Sequence, residues 1–156
     1  MEEIVEGKPA EVILCLYRKG PLNVTEISQQ AASTYAHTVR VVSKLGEMGL
    51  VRFDRRGRIK IVELTEVGRK LGEKLEEIEN LLQIARLNVE VEELYRTEVK
   101  GRLREEINQR KVLEKLAEIS KQLQPLQSRQ STAELALKLQ ARIEEIEREV
   151  KGLVVG

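Results

Sequence analysis

The chain has 156 residues and a mass of 17.8 kDa, room for one ordinary domain or for a small domain with a long appendage. Its 27 Lys and Arg almost balance 26 Asp and Glu, a net charge of +1, yet charged residues make up 34% of the chain against about 25% in an average domain. Aromatics at 3% exclude a stacking platform for single-stranded nucleic acid, and one Cys, one His and a single Asp exclude a disulfide framework, a His/Cys zinc site and a Ser-His-Asp triad.

The remaining acids are all Glu, which suits helices because Glu is a good helix former and Asp a poor one. Residues 1–20 are acidic ahead of their apolar stretch, the reverse of a signal peptide. No apolar run approaches the roughly 18 residues that span a bilayer. The expectation is a soluble, cytoplasmic protein with no membrane partner, no cofactor and no metal. Abundant Glu, Lys and Arg with only four Asn fit a thermophile.

Gly and Pro punctuate short segments up to about residue 70, and long charged-apolar periodicity follows. The spacing divides the chain into domains at 1–70 and 71–156. Pro9 suits the first turn of a helix, where its missing N–H costs nothing. Val12, Ile13, Leu16 and Tyr17 supply that helix's apolar face, and Gly20-Pro21 stops it. Cys15 on the same face reads as a small buried hydrophobe, with Arg18 the one nearby cation that would favour a thiolate. Asn23 with Glu26 forms a capping box for a short second helix that points Val24 and Ile27 inward. Ala32-Ser33-Thr34 makes a turn and supplies an N-cap hydroxyl. A third helix runs from Thr34 to Met48, with Thr38, Val42 and Leu45 inward, flanked by Val39 and Val41. Tyr35 falls at the inner edge and is expected to pack. The outer face carries Ala36, His37, Arg40, Ser43 and Lys44.

Residues 50–64 read as a hairpin in which Val51 and Phe53 alternate with Arg52, and Ile59 and Ile61 with Arg58 and Lys60. Asp54-Arg55-Arg56-Gly57 is the expected turn, and Thr65 caps the next helix. Helix, helix, turn, helix, hairpin, helix is the order of a winged helix-turn-helix. The stretches VTEISQQA (24–31), VRVVSKLGEMGLV (39–51) and RRGRIKIVELTEVGRKL (55–71) resemble the winged-helix transcription regulators of the MarR and PadR type. The resemblance covers about residues 9–75. It implies binding to double-stranded DNA, with a recognition helix at 34–48 in the major groove and a wing at 52–60 on flanking backbone or minor groove.

Residues 36–60 independently hold seven basic side chains (Arg40, Lys44, Arg52, Arg55, Arg56, Arg58 and Lys60) against Glu47 and Asp54, a local net of +5. Such a cluster suits phosphate contact. With Thr34, Ala36, His37 and Ser43 these are the candidate DNA-binding residues, and Arg40 is the candidate reader of guanine. A basic hairpin is also a common defence of a solvated sheet edge.

From Thr65 to Val99, Leu71, Leu75, Ile78, Leu82, Ala85 and Val89 follow 4-3-4-3-4 spacing, the a/d seam of a coiled coil. The register then slips to Val91, Leu94 and Val99. Gly101 is a candidate break. Leu103, Ile107, Leu113, Leu116, Ile119 and Leu123 mark a helix over 102–124 that ends at Pro125 and the polar run 127–130. Ser131 with Glu134 reads as a capping box for a last helix over 132–151, with Leu135, Leu139, Ile143, Ile146, Val150 and Leu153 on one stripe. The fold expected is mainly α with a small β-hairpin, a winged helix followed by long helices forming a coiled coil or a helical hairpin. The stripes need a partner. A homodimer through the six a/d residues is expected, and an intramolecular three-helix bundle is the alternative. Charge blocks, −5 over 71–99 and +3 over 100–111, would favour an antiparallel register or a second DNA contact.

This half departs from the MarR pattern, which places a dimerising helix before the winged domain. The layout is closer to PadR-like regulators, or to small archaeal winged-helix proteins in which a C-terminal coiled coil dimerises and the role is chromatin architecture. The functions in competition are therefore a dimeric transcription regulator, an architectural DNA-binding protein and a winged-helix interaction scaffold. No Gly-rich phosphate loop and no nucleophile at a motif spacing point to an enzyme.

Overall fold

The computed structural model describes residues 7–152, which form two compact units dividing between Glu76 and Glu77. In the first, α1 (Lys8–Lys19) carries Pro9 in its first turn and ends where the Gly20 N–H reaches the Leu16 carbonyl at 2.9 Å. A two-residue strand, β1 (Leu22–Asn23), leads into α2 (Val24–Gln30). The capping box is formed: Glu26 N–H donates to Asn23 Oδ1 at 2.9 Å, and Asn23 N–H to Glu26 Oε1 at 3.1 Å. In α3 (Tyr35–Glu47) the N-cap Thr34 accepts from His37 N–H at 3.2 Å. Thr38, Val42 and Leu45 are buried as the 3.6-residue period requires. Val42 and Leu45 meet Val12, Ile13, Leu16 and Ile27 in one apolar core.

β2 (Val51–Arg56) and β3 (Ile59–Leu64) form the hairpin, and β1 adds a third antiparallel strand beside β3. β1 was not expected from the sequence, because two residues are too few to show a period. The turn is tighter than expected: Asp54, Arg55 and Arg56 pair with Ile61, Lys60 and Ile59, leaving Gly57 and Arg58 as the turn, with Gly57 at φ 67°. The inward parity of β3 also differs. Val51 pairs with Leu64 and Phe53 with Val62, so those four side chains share the core-facing side. Val62 and Leu64 are buried, while Ile59 is exposed and Ile61 only half-buried. Register, fixed by the two-residue turn, overrides the apolar alternation that favoured Ile59 and Ile61.

α4 (Glu66–Glu98) is one continuous helix whose first turns belong to the first unit. Thr65 caps it, accepting from Gly68 N–H at 3.1 Å and donating its hydroxyl to the Gly49 carbonyl at 2.7 Å. Gly68 lies directly against the Leu50 carbonyl oxygen, where a Cβ would collide with backbone. Leu75 is buried in the first core and Leu71 packs against it.

The second unit is a three-helix bundle of the rest of α4, α5 (Gln109–Gln127) and α6 (Ala133–Lys151). Its core takes Ile84, Leu87, Val91, Leu94 and Val99 from the α4 side, Val112, Leu116, Ile119, Leu123 and Leu126 from α5, and Ala136, Leu139, Ile143, Ile146 and Val150 from α6. The α4 stripe used here is offset from the a/d seam read in the sequence.

Several expected boundaries move. Gly101, at φ 75°, follows the end of α4 rather than bending it. Residues 102–108 are not part of a long helix: a 3-10 turn spans Arg104–Glu106 and Leu103 is exposed. α5 starts after Asn108, whose Oδ1 accepts from Lys111 N–H at 3.2 Å. Pro125 does not stop α5. Leu123 and Leu126 are both buried, so tertiary packing holds the last turn helical despite the backbone hydrogen bond that proline cannot donate. The Ser131/Glu134 box is not made. The α6 N-cap position is Thr132, with no side-chain cap, and its buried hydroxyl donates to the Leu126 carbonyl at 2.7 Å. Ala136, not the exposed Leu135, begins the inward stripe of α6. Leu153 lies outside the described residues.

Candidate nucleic-acid interface

The outer face of α3 presents Ala36, Arg40 and Ser43, opposite the Thr38-Val42-Leu45 stripe that anchors it. All three are exposed, and His37 beside them is half-buried. The two flanks of the helix differ. On the α1 side His37, Arg40 and Lys44 border an apolar cavity of about 390 Å³ floored by Pro9, Val41 and Met48. On the wing side a cleft of about 360 Å³ separates Tyr35, Val39 and Ser43 from Arg58, Ile59 and Lys60. Thr34 works as the helix cap through its hydroxyl.

The wing sorts its cations by strand parity. Arg55 pairs across with Lys60 and shares the face of Phe53 and Val62. Lys60 Nζ sits 4.0 Å from the centre of the Phe53 ring. Arg52 and Arg56 face the other way and have acidic neighbours. Arg52 Nε lies 2.6 Å from Glu63 Oε1, and Arg56 Nε lies 3.6 Å from Asp54 Oδ2. Arg58 is at the tip. Of the five candidate wing cations, Arg58 and Lys60 line the cleft, Arg55 stands across the hairpin from Lys60, and Arg52 and Arg56 are partly neutralised on the opposite face.

Tyr35 and Val39 correct the expectation of inward packing, at 60% and 38% exposed. One turn apart, they form an apolar step along the cleft. The signal was their absence from the Thr38-Val42-Leu45 stripe; placing both at its edge hid it. Cys15 is half-buried, and burial pushes its thiol above the ordinary value, against smaller opposing effects of Lys19 and Arg18. A thiolate is disfavoured there.

The chain's element order α-β-α-α-β-β and the docking of the hairpin beside α3 settle the architecture. The first unit is a winged helix. No protein-family model matches the chain, and no curated protein matches it. Among solved structures it is similar to a protein from Archaeoglobus fulgidus (20% identity, 53% of this chain and 90% of that one, TM-score 0.46). It is similar also to a MarR family transcriptional regulator from Silicibacter pomeroyi DSS-3 (24% identity, 51% and 57%, TM-score 0.47) and to the transcriptional regulator BldR from Sulfolobus solfataricus (24% identity, 72% and 71%, TM-score 0.42). The winged-helix description stands on the chain's own element order and register.

In the second unit the a/d seam is divided. Beyond Leu71 and Leu75, which serve the first core, Ile78, Leu82 and Val89 are 43%, 62% and 63% exposed, and Ala85 is exposed between them. One ion pair joins the two charge blocks within the chain, Lys111 Nζ to Glu98 at 2.8 Å, and Arg104 Nη2 donates to the Lys151 carbonyl at 2.7 Å at the end of α6. Arg142 binds Glu92 at 2.7 Å and stacks 4.6 Å from the Tyr95 ring centre. No helix among the described residues is long and apolar enough to cross a membrane, and no group of three His, Cys, Asp or Glu among them could hold a metal ion.

Proposed function

We propose that the chain is a dimeric, double-stranded-DNA-binding transcription regulator. The observation that carries this reading is the basic wing set across a cleft from α3, with Arg58 and Lys60 facing Tyr35, Val39 and Ser43, beside a helix whose outer face exposes Arg40. A helix of this width fits the major groove, and a guanidinium-bearing hairpin beside it suits the neighbouring phosphates or a narrow minor groove. Arg40 is the guanine reader, Ala36, His37 and Ser43 complete the helix contacts, and Arg55, Arg58 and Lys60 hold the backbone.

Dimerisation runs through the exposed part of the α4 seam. Ile78, Leu82, Ala85 and Val89 keep 4-3-4 spacing, the pattern a second helix fills by knobs-into-holes packing. A two-fold pair of winged helices then addresses two half-sites. The test is a competition shift assay of the full chain between its own promoter region and bulk genomic DNA, with salt varied. A preference above tenfold supports regulation.

A second reading, architectural coating or bridging of duplexes, is favoured by one feature. Five of the seven cations in residues 36–60 lie on the hairpin, where they meet phosphates rather than base edges. A preference below tenfold in the same assay selects it.

A further inference from the structure

We infer that the wing-side flank of α3 reads thymine methyl groups, so that the preferred duplex carries thymine beneath Tyr35 and Val39. The inference rests on the DNA-binding reading above and adds what the duplex must contain.

Residues 35 and 39 are one helical turn apart and lie on one face. Both are exposed although both are apolar, while the adjacent stripe of Thr38, Val42 and Leu45 is the buried one. Across the cleft stand Arg58, Ile59 and Lys60, so the apolar step is bracketed by cations that draw in a polyanion. In the major groove, adenine is read by the paired donor and acceptor of Asn or Gln, guanine by Arg or Lys, and thymine by apolar contact with its C5 methyl. The helix sequence YAHTVRVVSKLGE has no Asn or Gln. Arg40 can specify guanine. Ser43, in the same cleft, can bond any base edge and so discriminates little. Discrimination of an A·T pair on this flank therefore falls to its apolar surface, where Tyr35 and Val39 form the exposed apolar pair beside the wing.

The test compares the unaltered full chain on two 30-base-pair duplexes of alternating adenine and thymine, one of them with every thymine replaced by deoxyuridine. Both present the same hydrogen-bonding groups, and only the methyls differ. At one fixed salt concentration the uracil duplex binds about fourfold more weakly for each methyl contacted, or about 15-fold for two, from the transfer free energy of a buried carbon. Replacing Tyr35→Ser together with Val39→Ser brings the thymine duplex down to the uracil level and leaves the salt dependence unchanged, while Val39→Ile preserves the discrimination. Equal affinities within twofold for the unaltered chain overturn this inference and leave the DNA-binding reading standing. No binding to either duplex or to mixed-sequence DNA overturns both.

Discussion

Gly46 lies beneath the ring of Phe53: a Cβ built on the glycine would stand 2.8 Å from Phe53 Cε2. The root of the wing is thereby seated directly on α3, and the cations of the hairpin are held at a set distance from those of the helix. Lys60 over the same ring extends the link to the far strand. Replacing Gly46→Val removes the seat. The Phe53 ring is 38% exposed and can swing outward, so the strain is small and is offset by a gain in helix propensity of under about 1 kcal/mol. Urea unfolding of the variant is expected to change by no more than about 1 kcal/mol, while DNA affinity falls because the wing has lost its seat on the helix.

Parity along the wing predicts unequal roles for cations that look equivalent in sequence. Each phosphate neutralised contributes about 0.9 to the slope of log affinity against log salt. A dimer carries each wing cation twice, so Arg55→Ala, Arg58→Ala and Lys60→Ala should each lower the slope by about 1.8. Arg52→Ala should lower it by less than half as much, because Glu63 already stands 2.6 Å from its guanidinium. Fluorescence anisotropy over a salt series checks this, and equal effects at all four positions would remove the distinction.

The exposed seam of α4 makes a separate prediction about assembly. Leu82→Glu places a charge in the middle of the exposed stripe, and like charges facing across a two-fold axis oppose pairing. Sedimentation is expected to give twice the chain mass for the unaltered protein and a single chain mass for the variant, with the helical content of both alike. Leu87→Glu should instead unfold the second unit, since Leu87 is in its core.

Acid should loosen the second unit through two carboxylates. The hydrogen bond from Arg142 holds Glu92 below the ordinary carboxylate value near 4.5, and the hydrogen bond from Lys111 does the same for Glu98. A folded value below the unfolded one contributes stability above the unfolded value, and that contribution fades as pH falls through the folded one. The thermal unfolding temperature of the second unit should therefore drop as pH falls below about 5. Arg142→Met and Lys111→Met should flatten the drop, with Arg142→Met also losing its stacking on Tyr95.

How far the sequence carried the fold differs by element, for physical reasons. α1, α2 and α3 were legible because each has clear end signals and a one-sided apolar stripe, as the Asn23–Glu26 box shows. The hairpin was legible, but its inward parity was not. Ile59, Ile61, Val62 and Leu64 are all apolar, and only the register set at Gly57-Arg58 decides which face the core. In α4 two apolar stripes share one helix, and the 3.5-residue seam masks Ile84 and Leu87, which the bundle buries. Pro125 and Ser131 misled because local signals there yield to the burial of Leu126 and Thr132. At the candidate interface the cations stood out as a charge cluster. Their division between two faces, and the exposure of Tyr35 and Val39, depend on pairing partners a linear reading does not hold.

The most direct test of the central claim is the affinity of the full chain for a 30-base-pair duplex across a salt series from roughly 50 to 300 mM. A dimer engaging three cations of each wing with phosphates predicts a linear plot of log affinity against log salt with a slope steeper than about −4. A slope near zero, or no binding at the lowest salt, would contradict it.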